Sequence, residues 1–131
     1  MFLEFGALLP TFRRDGSPGD PQGEMGLMIE WSWRIEGRRS ILCGSWSEER
    51  TWPRAFALLR GAEVARVGLF GRLPEIELTL SNDARVLSFM TAGGDPRWTL
   101  FDRQHEPDSS RWVTVRRGAV IAEAGVDGPA P

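Results

Sequence analysis

With 131 residues, 41% of them hydrophobic and 26% charged, and a formal net charge of -2, the chain fits one domain that can bury a core without disulfides or metals. No apolar run approaches the roughly 20 residues of a spanning helix, and Cys43 stands alone, so a membrane-embedded role and an internal disulfide framework are both excluded. The Met-Phe-Leu-Glu-Phe start lacks the basic segment and long apolar run of a signal peptide, which predicts a cytoplasmic protein.

Phe2 to Leu9 is a short β-compatible segment ended by Pro10, a first strand and a candidate sheet edge. Residues 13–24 hold three Gly and two Pro in twelve positions, which predicts a long flexible loop. From Leu27 to Ile35 the chain alternates, with Leu27, Ile29, Trp31, Trp33 and Ile35 on one face and Glu30, Ser32 and Arg34 on the other. A turn at Glu36-Gly37-Arg38-Arg39 would return the chain through Ser40 to Trp46. It would set Ile35 opposite Ser40, Trp33 opposite Leu42, Cys43 opposite Ser32, Trp31 opposite Gly44 and Ile29 opposite Trp46, with an indole ring lying over a cross-strand glycine.

One short helix is predicted at about residues 51–60, with Thr51 as cap, Pro53 in the first turn and Gly61 at the end. Trp52, Ala55, Phe56 and Leu59 form a stripe at helical spacing that would dock on a sheet. A meander follows from Ala62 to Met90. A four-residue loop at Gly71-Arg72-Leu73-Pro74 sets Leu69 against Ile76, Val67 against Leu78 and Ala65 against Leu80. A two-residue turn at Asn82-Asp83 would set Leu78 against Leu87 and Ile76 against Phe89, so that both turns choose one inner face. Ala92-Gly93-Gly94-Asp95-Pro96 is a further turn before a strand at 97–101. A four-residue loop there places Leu100 opposite Phe89 and faces Trp98 inward, and a five-residue loop turns Thr99 and Phe101 inward. Residues 111–115 and 119–123 form a last hairpin across Arg117-Gly118, with Val115 opposite Val120 and Val113 opposite Ala122; a disordered tail is expected at 125–131. The whole predicts a mainly β domain at 1–124, an antiparallel β-sandwich or curved partial barrel of about eight or nine strands with one short helix.

Chemistry-bearing residues are sparse. His105 and Cys43 are single and sit in different segments, so no metal site and no cofactor are predicted. Ser109 and Ser110 are too near His105 in one loop to make a triad, and no Gly-x-Ser-x-Gly turn occurs. Glu75 and Glu77, roughly 7 Å apart along one strand face, have the look of a carboxylate pair, but any solvated strand face carries the same pattern. The Arg13-Arg14, Arg38-Arg39 and Arg116-Arg117 doublets lie at turns in a chain of pI ≈ 5.5, which excludes a nucleic-acid surface.

From Leu58 to Leu100 the chain reads Leu-Leu-Arg-Gly-Ala-Glu-Val, then Leu-Pro-Glu-Ile-Glu-Leu-Thr-Leu-Ser-Asn-Asp-Ala, Leu-Ser-Phe and Arg-Trp-Thr-Leu. This succession resembles small uncharacterised bacterial β-domains, some of which are thought to act as toxin-immunity proteins. The resemblance covers about a third of the chain and implies an all-β fold and a protein partner. It carries no functional residue, and this chain has Asn82-Asp83 where similar domains have Asp-Gly.

The expected function is therefore a non-enzymatic protein-binding or interaction module, with a protein partner or a second copy of itself. Its candidate binding residues are Glu30, Trp31, Trp33, Arg34, Arg38, Arg39 and Trp46 on one hairpin. One alternative is a small apolar-ligand-binding β-barrel protein, in which the Trp hairpin and the docked helix enclose a pocket. The other is a hydrolase-like enzyme with a carboxylate site using Glu30, Arg34 or Glu77. The row Glu30, Ser32, Arg34 and Glu36 would line a polar pocket if both sheet faces were covered, and would otherwise be plain surface.

Overall fold

The computed structural model describes residues 1–104 and 110–125. Among these, alternating apolar segments form β1 (Phe2–Phe5), β2 (Met25–Ile29), β3 (Trp33–Glu36), β4 (Ile41–Gly44), β5 (Val64–Phe70), β6 (Glu75–Leu80), β7 (Arg85–Ser88), β8 (Trp98–Asp102), β9 (Ser110–Arg116) and β10 (Ala119–Gly125). One helix, α1 (Trp52–Leu59), follows a single 3-10 turn at Glu49–Thr51. The strands make two five-stranded sheets, β1-β2-β8-β9-β10 and β4-β3-β7-β6-β5, antiparallel at every pairing. The architecture is a sandwich and not a closed barrel. No helix among the described residues is long and apolar enough to cross a membrane.

The sheets are joined at a shared corner. β2 pairs with β8 in one sheet and β3 with β7 in the other, so the segments 30–32 and 89–97 cross between sheets side by side. There the Glu30 N–H donates to the Arg97 carbonyl at 3.0 Å, the Phe89 N–H donates to the Ser32 carbonyl at 2.9 Å, and Ser32 takes a φ of 51°. The alternating run from Leu27 to Ile35 is therefore two strands in two sheets rather than one. A bend that switches sheets preserves the inward alternation of Leu27, Ile29, Trp33 and Ile35, which is why the break leaves no mark on the pattern. Trp31, at the bend, turns outward. The same crossing removes any hairpin between β7 and β8, so Leu100 pairs with Leu27 and Val113 instead of Phe89, while Trp98 is buried.

Two further registers differ from expectation. Between β6 and β7 the loop is Ser81-Asn82-Asp83: the Asp83 N–H donates to the Leu80 carbonyl at 2.9 Å, Asp83 is left-handed at φ 64°, and Leu80 closes on Ala84. This is a three-residue hairpin loop with a bulge residue. The extra residue shifts β7 by one position, so Leu78 faces Val86, and Val86 with Ala84 fills the core while Leu87 lies on the other face, opposite Glu77 and Arg34. Between β3 and β4 a bulge after Ile35 puts Cys43 opposite Ile35 and Gly44 opposite Arg34, leaving Ile41 and Leu42 exposed.

Elsewhere the local signals hold. Leu69 faces Ile76 and Val67 faces Leu78, with a bulge at Val64/Arg66 displacing Ala65. Val115 faces Val120 and Val113 faces Ala122 across a turn in which Arg117 and Gly118 both have positive φ. The core is Leu27, Ile29, Trp33, Ile35, Cys43, Ala55, Ile76, Leu78, Val86, Trp98 and Val115. Trp52, Phe56 and Leu59 of α1 pack against it, and Ala55 is the buried centre of their stripe. Residues 13–24 belong to an irregular excursion pinned by paired Leu9–Gln22 backbone bonds of 2.8 and 3.0 Å and by the Gly19 N–H on the Thr11 carbonyl at 2.8 Å. Gly125, expected to begin the tail at 125–131, is the last residue of β10, and residues 126–131 and 105–109, which include His105, lie outside the described residues.

Candidate functional site

Among the described residues a concavity lies between β1 and α1. β1 is an edge strand, and its residues Leu3 and Phe5 pack against the core and line the cavity. α1 presents Trp52, Phe56 and Leu59 from the other side, with Trp33 between them, and Val64 and Leu80 complete the wall. These surfaces enclose an open-sided, mostly apolar cavity of about 1030 Å³.

Each wall is fixed by specific bonds. Trp33 meets Trp52 edge to face at 5.3 Å and Phe56 at 5.7 Å between ring centroids. The Trp52 indole N–H donates to the Gly44 carbonyl at 3.2 Å, tying the start of α1 to β4. On the far side Glu4 accepts from the Arg103 guanidinium at 2.7 Å and from the Gly23 N–H at 2.9 Å, which locks β1 to the end of β8 and to the returning loop. Gly23 is needed there because a Cβ would collide with the backbone of Phe5. α1 ends at Arg60 and Gly61, the latter at φ 74°, and Asn82 donates to the Leu58 carbonyl at 2.7 Å to hold that end against the β6–β7 loop.

The charged groups of the lining residues are Glu4 and the Met1 ammonium, both already engaged, and the exposed Arg60 and Glu63. Such a surface suits an apolar body with at most a few polar atoms near the opening, and it holds no cluster for acid–base or metal chemistry. Among the described residues no group of His, Cys, Asp and Glu is placed to hold a metal ion. Glu75 and Glu77 are both engaged: Glu75 accepts from the buried Ser88 hydroxyl and from the Met90 N–H, and Glu77 pairs with Arg85 at 3.2 Å.

The seven residues expected to form one binding face are dispersed. Trp33 is buried and lines the cavity. Trp31 and Trp46 pack edge to face at 5.2 Å on the outside, 50% and 69% exposed. Glu30 sits at the sheet corner, separated from Arg34 by the bend at buried Ser32. Arg34 lies on the outer sheet face, pairs with Glu36 at 2.7 Å and stacks over Phe89 at 5.5 Å. Arg38 pairs with Asp83, and the guanidinium holds that carboxyl below its usual range; Arg39 is exposed. The continuous polar row from Glu30 to Glu36 therefore does not form. Leu3, Phe5, Phe56, Leu59 and Val64 were not among the expected site residues. The helical stripe was readable, but its juxtaposition with β1 spans about fifty residues of sequence.

No protein-family model, no curated protein and no solved structure matches this chain.

Proposed function

We propose that this protein binds a small, largely apolar molecule in the cavity between β1 and α1. The observation that carries the reading is the cavity itself: about 1030 Å³, walled by Trp33, Trp52, Phe56, Leu59, Leu3 and Phe5, on a scaffold whose two sides are separately anchored. Ligand sites are concave, mostly apolar and built in advance, with volumes of roughly 300–1,000 Å³. Two indoles in the wall make occupancy visible. Titration with an uncharged apolar fluorophore should be saturable at one site and should quench tryptophan emission, and a Leu59→Trp variant that fills the cavity should weaken binding at least tenfold. A non-saturable signal, or equal binding by that variant, would refute it. The lone, buried Cys43 fits a cytoplasmic setting.

A second reading has its own observation. The Trp31–Trp46 pair is a rigid aromatic surface of the kind that anchors protein partners, and a protein partner is what the resemblance to bacterial β-domains implies. A partner recovered by the wild-type chain and lost with a Trp31→Ala, Trp46→Ala double variant would support it. Identical recoveries would dismiss it.

A further inference from the structure

β5 is an edge strand whose one neighbour is β6, and beyond the bulge at Val64/Arg66 its segment 66–70 is regular and holds no proline. Edges are normally kept short, charged, or broken by proline. β1 and β4 have four residues each; β10 is as long as β5 and likewise carries one charge, Glu123, but three of its seven residues are alanines, which offer a pairing strand little side-chain surface. The seven residues of β5 hold no proline and a single charge, Arg66. On this strand Val67 and Leu69 are 52% and 53% exposed, although they share a face with the core residues Leu78 and Ile76.

We propose that β5 pairs antiparallel with β5 of a second copy of this chain, joining the two β5-containing sheets into one of ten strands. The occupant is chosen by the pattern of the strand. A bulge at Val64/Arg66 and the turn after Phe70 leave 66–70 as the regular segment, and its centre is Gly68. A two-fold axis at Gly68 sets Val67 of each copy against Leu69 of the other, and Arg66 against Phe70. Apolar side chains meet apolar ones on one face, and on the other each guanidinium meets an aromatic ring rather than its own like charge. Such two-fold, self-complementary pairing is the commonest form of oligomer symmetry.

A single pair of short strands is a small interface, so the dimer forms in the range of about ten micromolar to a millimolar. Sedimentation velocity over that range should show a reversible monomer–dimer equilibrium. Val67→Lys and Leu69→Glu, both at exposed positions, should each weaken self-association at least tenfold while near-ultraviolet circular dichroism stays unchanged. An equimolar mixture of the two variants should recover the dimer, because the proposed register sets the introduced ammonium against the introduced carboxylate and wild-type Leu69 against wild-type Val67. A monomer at every concentration, a dimer that both variants leave intact, or a mixture that stays monomeric would each overturn the assignment.

Discussion

Trp33 on β3 and Trp52 at the start of α1 meet edge to face, with ring centroids 5.3 Å apart and planes at 64°. The pair does two things at once. It docks a helix of only eight residues, too short to persist alone, onto the sheet. It also forms the back wall of the cavity.

The Trp52 side chain therefore contributes by packing and by its bond to the Gly44 carbonyl. Trp52→Phe should cost about 1 kcal/mol through loss of that bond, and Trp52→Ala about 3 kcal/mol or more through the space left behind. Urea denaturation monitored by far-ultraviolet circular dichroism gives both values.

Glu4 and Arg103 are separated by 99 positions, and their bond adds to the β1–β2 pairing a tie from β1 to the end of β8. Arg103 also stacks against Phe2 and Phe101, with its guanidinium 6.0 and 5.7 Å from the ring centroids. Arg103→Ala should cost about 2 kcal/mol, as expected when a half-buried charged hydrogen bond loses one partner. It should also accelerate hydrogen exchange at Leu3 and Phe5 more than at core positions such as Leu78.

The β9–β10 turn places Arg117 at φ 51°, a conformation that side-chain-bearing residues other than Asn and Asp resist. Asp95 compensates by accepting from the Arg117 and Gly118 N–H groups at 2.9 and 2.8 Å. Arg117→Asn supplies the residue such a turn favours and should raise stability by up to about 1 kcal/mol. Asp95→Ala should lower it by about 1–2 kcal/mol. Both are read from urea midpoints.

Burial pushes the Cys43 thiol above its ordinary range, so the fold favours the neutral form. That contribution is complete below the unfolded thiol's pKa and is lost as pH rises through it toward the folded value. Wild-type stability should therefore fall between about pH 8 and 10, around the ordinary thiol range, and the fall should be smaller in Cys43→Ala. At neutral pH a thiol reagent should label Cys43 in urea and leave it unlabelled in the native protein.

What the sequence disclosed was local. The β9–β10 register follows from Arg117-Gly118, the β5–β6 register from the loop ending at Pro74, and the docked stripe of α1 from its spacing. Asn82-Asp83 could be read as a two-residue turn because nothing in the residue types reveals that Ser81 joins the loop and Asp83 becomes the left-handed bulge. With a period of two, that one-residue difference exchanges Leu87 for Val86 in the core. The bend at 30–32 was hidden because alternation continues through it, and its loss disperses the expected binding face. Trp33 packs against α1, as its place on the Trp hairpin suggested, while the other cavity wall, β1, is placed by its long-range pairing with β2 and by the Glu4–Arg103 contact, neither of which the residue types announce.

The most direct test of the central claim is amide chemical-shift mapping of the isotopically labelled protein during titration with an uncharged apolar probe. The cavity reading predicts saturable shifts at Leu3, Phe5, Phe56, Leu59 and the Trp33 and Trp52 indoles, with Trp31 and Trp46 unmoved. Shifts confined to Trp31 and Trp46, or none at all, would contradict it.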